Sequence, residues 1–109
     1  MKMCKLIIVR TYCDREEIAD KIINSLLEKK LVVGSQMVEV TSQYWWNKEI
    51  RKKREFQLSF RSTYDLFPRV KEEVLKLHSY RVPEISCTEI VDGNQEFFNW
   101  ILEKLKKDS

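Results

Sequence analysis

Hydrophobic positions in this chain follow two periods, and the places where one gives way to the other lay out its elements. From Glu55 to Arg61 the pattern alternates: Phe56, Leu58 and Phe60 fall on one face, Glu55, Gln57, Ser59 and Arg61 on the other. A period of two marks a half-buried strand. Upstream, Val38, Val40, Tyr44 and Trp46 occupy even positions and Met37, Thr41 and Trp45 odd ones, so the far end of that arm has aromatic surface on both faces. Asn47-Lys48 joins the arms; Asn takes the left-handed backbone such a turn needs, and Lys suits it less. Val32–Ser62 thus reads as one long β-hairpin. An arm of ~12 residues at roughly 3.3 Å each spans ~40 Å, against a radius of gyration of ~13 Å for a domain of this length. The tip should overhang its own core, and long strand edges with apolar tips invite pairing with another chain. The pattern therefore predicts an oligomer whose subunits exchange contacts through the hairpin.

Around the hairpin the order is simple. Lys5–Tyr12 holds the continuous apolar run Leu6-Ile7-Ile8-Val9, as in a central strand covered on both faces. Asp14 with Glu17 matches a capping box, and Ile18, Ala19, Ile22, Ile23, Leu26 and Leu27 then recur at helical spacing through Glu28. A second helix is expected from about Asp65, with Pro68 near its first turn and its apolar stripe ending at His78. Glu84–Val91 reads as a fourth strand. Asp92-Gly93-Asn94 turns into a last helix bearing Phe97, Phe98, Trp100, Ile101 and Leu105. The order β-α-β-β-α-β-α is an α+β, ferredoxin-like split βαβ with an extra C-terminal helix. Right-handed crossovers place both main helices on one sheet face; the other face asks for the last helix or a partner chain.

Composition changes this picture little. The 109 residues suit one domain, 1–109, with 43% hydrophobic and 34% charged residues and only two Gly and two Pro. No window holds the ~20 apolar residues of a membrane helix, and the start lacks a secretory pattern, which argues for the cytoplasm. A net charge of +3 does not by itself imply a nucleic-acid partner. Cys4, Cys13 and Cys87 are odd in number and widely spaced, which fits reduced thiols rather than disulfides or a zinc knuckle.

Three groups could carry chemistry. His78, the single histidine, shares a short stretch with Tyr80, Pro83 and Glu84, so imidazole, phenol and carboxylate could meet in one cleft. The plainer role is a cation at a negative helix end. Lys48, Arg51, Lys52, Lys53 and Arg54 cluster at the hairpin tip beside Tyr44, Trp45 and Trp46, as in a single-strand binding platform. Glu49 and Glu55 interrupt that cluster, which favours a solvated tip whose aromatics pack on a neighbouring subunit over nucleic-acid binding. Cys13, beside the start of the first helix, could have its thiolate stabilised by the helix dipole; a packed thiol next to acidic Asp14 is the weightier reading. No nucleophile sits in a recognisable motif with a base, and Gly34 and Gly93 build no phosphate-cradling loop, so no enzymatic reaction is expected.

In Tyr44-Trp45-Trp46, Glu55, His78-Ser79-Tyr80-Arg81-Val82-Pro83-Glu84 and Phe98-Asn99-Trp100-Ile101, the chain resembles the CutA family of divalent-cation tolerance proteins, from Thr11 through Trp100. The resemblance implies a PII-like homotrimer with interlocked hairpins, divalent-metal tolerance, and a divalent cation such as copper as bound species. It departs from common members in carrying Val33-Gly34 after the first helix, Arg10, Lys48, Ser79 and Leu77, so the soft donors that select copper are fewer. On this resemblance the site lies between subunits. His78 would be a metal or anion contact, Glu84 and Glu55 hard metal ligands or ligand-orienting groups, Tyr80 a hydrogen-bond donor, and Trp46 and Arg61 lining residues. The same clefts could serve a PII-like sensor of a small ligand, or a scaffold for a protein partner.

Overall fold

The computed structural model describes residues 5–105; Cys4 lies outside them. In chain order the elements are β1 (Leu6–Cys13), α1 (Glu16–Glu28), β2 (Gly34–Trp46), β3 (Glu49–Thr63), a 3₁₀ turn (Tyr64–Leu66), α2 (Phe67–Leu77), β4 (Ile85–Glu89) and α3 (Gln95–Lys104). The strands form one antiparallel sheet in the order β2-β3-β1-β4. This is the α+β, ferredoxin-like arrangement with an added C-terminal helix.

Register decides which residues face the helices. Ile7 pairs with Ser62, Val9 with Phe60 and Thr11 with Leu58, and all six are buried. The same core takes in Ala19, Ile22 and Leu26 from α1 and Val70 and Val74 from α2. Ile101 and Leu105, at the far end of the chain, join it. The two main helices are tied by polar contacts as well: Ser25 Oγ of α1 and Nζ of Lys29, the residue that caps its C-terminus, donate to Glu73 Oε2 of α2 at 2.5 and 2.8 Å. On the opposite face Arg10, Tyr12, Gln57, Ser59 and Arg61 remain partly exposed, with Gln57 Nε2 donating to Tyr12 Oη at 2.9 Å.

The hairpin overhangs as its length requires. The molecule measures 49 × 26 × 20 Å with a radius of gyration of 14.9 Å. Cys13, the last residue of β1, lies opposite Phe56, so the part of β3 before Phe56 is paired with β2 and with no second strand. There Trp45 and Ile50 pair across the strands and are 72% and 62% exposed. The turn places Asn47 at φ 47° and Lys48 at φ 66°, the left-handed pair of a two-residue hairpin connection.

Element ends differ from the sequence reading for traceable reasons. Asp14 does not cap α1. The N-cap is Arg15, without a side-chain cap hydrogen bond, because the Asp14 carboxylate accepts instead from the Ser79 hydroxyl at 3.1 Å. The second helix is regular only from Phe67, with Pro68 in its first turn and the 3₁₀ turn ahead of it. It stops at Leu77, and His78 leaves it with extended backbone. The fourth strand is confined to Ile85–Glu89; Ile90 makes one further bond to the Leu6 carbonyl at 2.8 Å, and Val91 is exposed.

Candidate functional site

The loop after α2 builds the site. Once His78 turns out of the helix, the chain passes the end of β1 and comes down beside the hairpin. The ring of His78 points inward. Its Nδ1 accepts the Tyr80 backbone N–H at 3.1 Å, and its Nε2 lies 3.9 Å from Cys13 Sγ. An Nδ1 that accepts leaves the proton of the neutral ring on Nε2, directed at the Tyr12 backbone and the Cys13 sulfur. Burial lowers the His78 pKa, against opposing contributions from the Tyr12 backbone and from Asp14 and Glu55. The expected cation at a helix end is thus a neutral, inward-facing ring. Cys13 is fully buried; burial first, then Asp14 and Glu55, push its thiol up to about 11. That is the opposite of a dipole-activated thiolate and agrees with a packed thiol.

Tyr80 is held on three sides. Its hydroxyl donates to Glu55 Oε2 at 2.6 Å, Lys53 Nζ sits 4.4 Å from its ring centroid, and the His78 ring lies 4.9 Å away, tilted by 45°. Burial raises the Tyr80 pKa, and the hydrogen bond and charge of Glu55 raise it further. The phenol therefore stays protonated and keeps donating to the carboxylate.

Beside Tyr80 opens a cleft of about 790 Å³. One wall is the hairpin and the other the loop 79–84, with Tyr12 and Asp14 also lining it. Strand parity explains the hairpin wall. Tyr44 pairs with Arg51, Ser42 with Lys53 and Val40 with Glu55, so these side chains share the face opposite the helices. Among the expected site residues Trp46, Glu55, Tyr80 and Glu84 do line the cleft, whereas His78 lies behind it and Arg61 outside it. Arg61 has the right parity but stands six residues beyond Glu55, ~20 Å along the strand, where its Nη1 donates to Gln36 Oε1 at 3.4 Å. His78, Glu55 and Glu84 do not converge as ligands. Among the described residues no group of three or more His, Cys, Asp or Glu could hold a metal ion, and Glu84 accepts from the Ser86 hydroxyl at 2.9 Å.

Sequence reading missed Tyr12, Asp14 and Arg81 as cleft residues, and it took the tip cations as one cluster. Parity splits that cluster. Arg51 and Lys53 face the cleft, while Lys52 and Arg54 face the other way, with Arg54 Nη2 3.3 Å from Glu39 Oε2. The alternation was present in the sequence once the turn fixed the register. The arrival of Tyr12, Asp14 and Arg81 depends on the loop folding back over β1, which no local pattern announces.

Comparison with known proteins gives a consistent result. A family model described as CutA1 divalent ion tolerance protein matches residues 7–104. The divalent-cation tolerance protein CutA of Thermus thermophilus is 38% identical over 89 residues, 81% of this chain and 86% of that one. Its counterpart from Pyrococcus horikoshii is 31% identical over 102 residues, 94% of this chain and 100% of that one. A solved structure from Archaeoglobus fulgidus, described as a periplasmic divalent cation tolerance protein CutA, superposes with a TM-score of 0.90 at 31% identity, covering 93% of this chain and 99% of that chain.

Proposed function

This chain belongs to the CutA1 divalent ion tolerance family, and on that premise we propose that it works as a non-enzymatic homotrimer in the cytoplasm, with a divalent cation bound between subunits. The observation that carries the assembly is the overhanging tip: Trp45 and Ile50 are left uncovered by their own chain, which a second copy would relieve. The free thiols Cys13 and Cys87 support a reducing compartment. A raised Cys13 thiol and an inward-facing neutral His78 support binding rather than catalysis, since neither is poised to react.

The cation reading carries a condition from the structure. Among the described residues one chain does not supply a ligand set, and both nitrogens of His78 are turned to its own chain. Glu84 and Glu55 are then the donors that remain, oxygen ligands suited to hard cations rather than to copper, and a second copy must complete the set. A native mass spectrum with and without excess Cu(II) tests both parts. A trimer that takes up metal in whole-number steps per subunit supports the proposal; a trimer that stays metal-free removes the cation; a monomer removes the assembly. The cleft itself favours a second reading, a PII-like sensor of a small molecule, because its volume of about 790 Å³ exceeds what an ion needs and matches small-ligand pockets.

A further inference from the structure

The geometry points to a ligand class for the cleft between the hairpin and the loop 79–84: a small anion carrying a flat aromatic ring, with Arg51 and Arg81 taking the anion and Trp46 and Tyr44 the ring. The inference rests on the sensor reading above and needs no cation.

Most of the charges in the cleft are already engaged within the chain. Three carboxylates line it, and each has a donor within the chain. Asp14 accepts from Ser79 at 3.1 Å, Glu55 from Tyr80 at 2.6 Å and Glu84 from Ser86 at 2.9 Å. Lys53 is fixed over the Tyr80 ring. Arg51 and Arg81 also line the cleft, and among the described residues no hydrogen bond or ion pair engages the guanidinium of either. The uncommitted charge is therefore positive, although the cleft has as many acids as bases along its walls. Guanidinium groups bind carboxylate and phosphate as planar, two-pronged donors.

The walls set the rest of the ligand. Tyr44 and Trp46 alternate on the cleft face of β2, and each keeps part of its ring exposed. Such surfaces stack flat rings and, near arginine, favour rings that carry negative charge elsewhere. Tyr80 is clamped by Glu55, Lys53 and His78, so this part of the wall is formed before any ligand arrives and loses little freedom on binding. A polynucleotide fits less well. Lys52 and Arg54 lie on the other face, and Asp14 and Glu84 border the cleft, so no continuous cationic track follows a backbone.

The test uses the full chain with a chelator present. Adenosine monophosphate and indole-3-acetate serve as the phosphate and carboxylate probes, with inorganic phosphate, adenosine and a short single-stranded DNA as controls. Binding is read by calorimetry and tryptophan fluorescence. At least one aromatic anion should bind, with phosphate or adenosine alone weaker by about tenfold or more. Arg51→Gln and Arg81→Gln should each weaken that binding by about tenfold, and Lys52→Gln should leave it unchanged. Which probe binds tells phosphate from carboxylate. No binding of either probe, tighter binding of the DNA, or affinity indifferent to Arg51 and Arg81 would each overturn the inference. Native mass spectra of the same samples separate the failures: a protein that does not assemble undermines the sensor reading, whereas an assembled protein that ignores both probes overturns the ligand class alone.

Discussion

The two ends of the hairpin are written in the same alternating pattern but meet opposite surroundings. At the base, Leu58 and Phe60 on the helix-facing side of β3 are fully buried under α1 and α2. At the tip the same face of the same strands presents Trp45 and Ile50 to solvent. Period-two patterning specifies a face, not what covers it. Coverage comes from strand length: β3 runs past the end of β1, so the base is packed by its own chain and the tip requires something else. The base holds the fold, and the tip is left for association.

Substitution at the two ends is the strongest way to break that contrast. Phe60→Ala empties a fully buried site and should cost ~3–5 kcal/mol in urea unfolding. Trp45→Ala should leave the packing of the core intact, seen as unchanged near-ultraviolet signals from buried aromatics, and should instead shift the native mass spectrum toward smaller species. Equal loss of stability from both, with no change in assembly, would show that the tip folds back onto its own chain.

A smaller effect separates the helix layer from the cleft layer by pH. His78 has a folded pKa depressed by burial. The unfolded chain therefore takes up its proton first, and the stabilisation is present above about 6.5 and lost as pH falls through that value toward the folded one. Glu73 is held below its ordinary 4.5 by hydrogen bonds from Lys29 and Ser25; its contribution is present above 4.5 and lost only as pH falls through the lower folded value. Cys13 behaves in reverse. Its thiol is raised from 9.0 to about 11, so its contribution is complete below 9.0 and disappears as pH rises through about 11. Urea midpoints measured under reducing conditions should lose their slope just below pH 6.5 in His78→Gln, below pH 4.5 in Glu73→Gln and at alkaline pH in Cys13→Ala.

How much of this could be read in the sequence depended on the range of the interaction. Alternation at Phe56–Phe60 and the stripe Ala19, Ile22, Leu26 depend on neighbours a few residues apart, and they correctly implied the strands, the helices and the overhang. The Asp14 cap failed because Asp14 has a better partner in Ser79, 65 residues away. His78 failed as a surface cation because α2 stops one residue earlier and the ring turns onto Cys13, also 65 residues distant. Arg61 was assigned to the correct face and the wrong place, since parity carries no information about distance along a strand. The ligand set of His78, Glu55 and Glu84 was inferred from resemblance, and one chain does not assemble it.

The smallest expected effect sits at the hairpin turn and sharpens the same contrast. Lys48 holds φ 66° next to Asn47 at φ 47°. A left-handed backbone costs a residue with a Cβ roughly 1–2 kcal/mol, and glycine removes that strain. Against this, glycine adds freedom to the unfolded chain worth roughly 0.5–1 kcal/mol. Lys48→Gly should therefore stabilise the chain by only about 0.5 kcal/mol, while converting the connection to Asn-Gly, the sequence that best matches a two-residue hairpin turn. The gain should appear as a small rise in urea midpoint. Lys48 does not line the cleft, so affinity for an aromatic anion should stay the same. A loss of stability instead would mean that the Lys48 stem is packed in the assembled protein, and that the surface covering Trp45 extends around the turn.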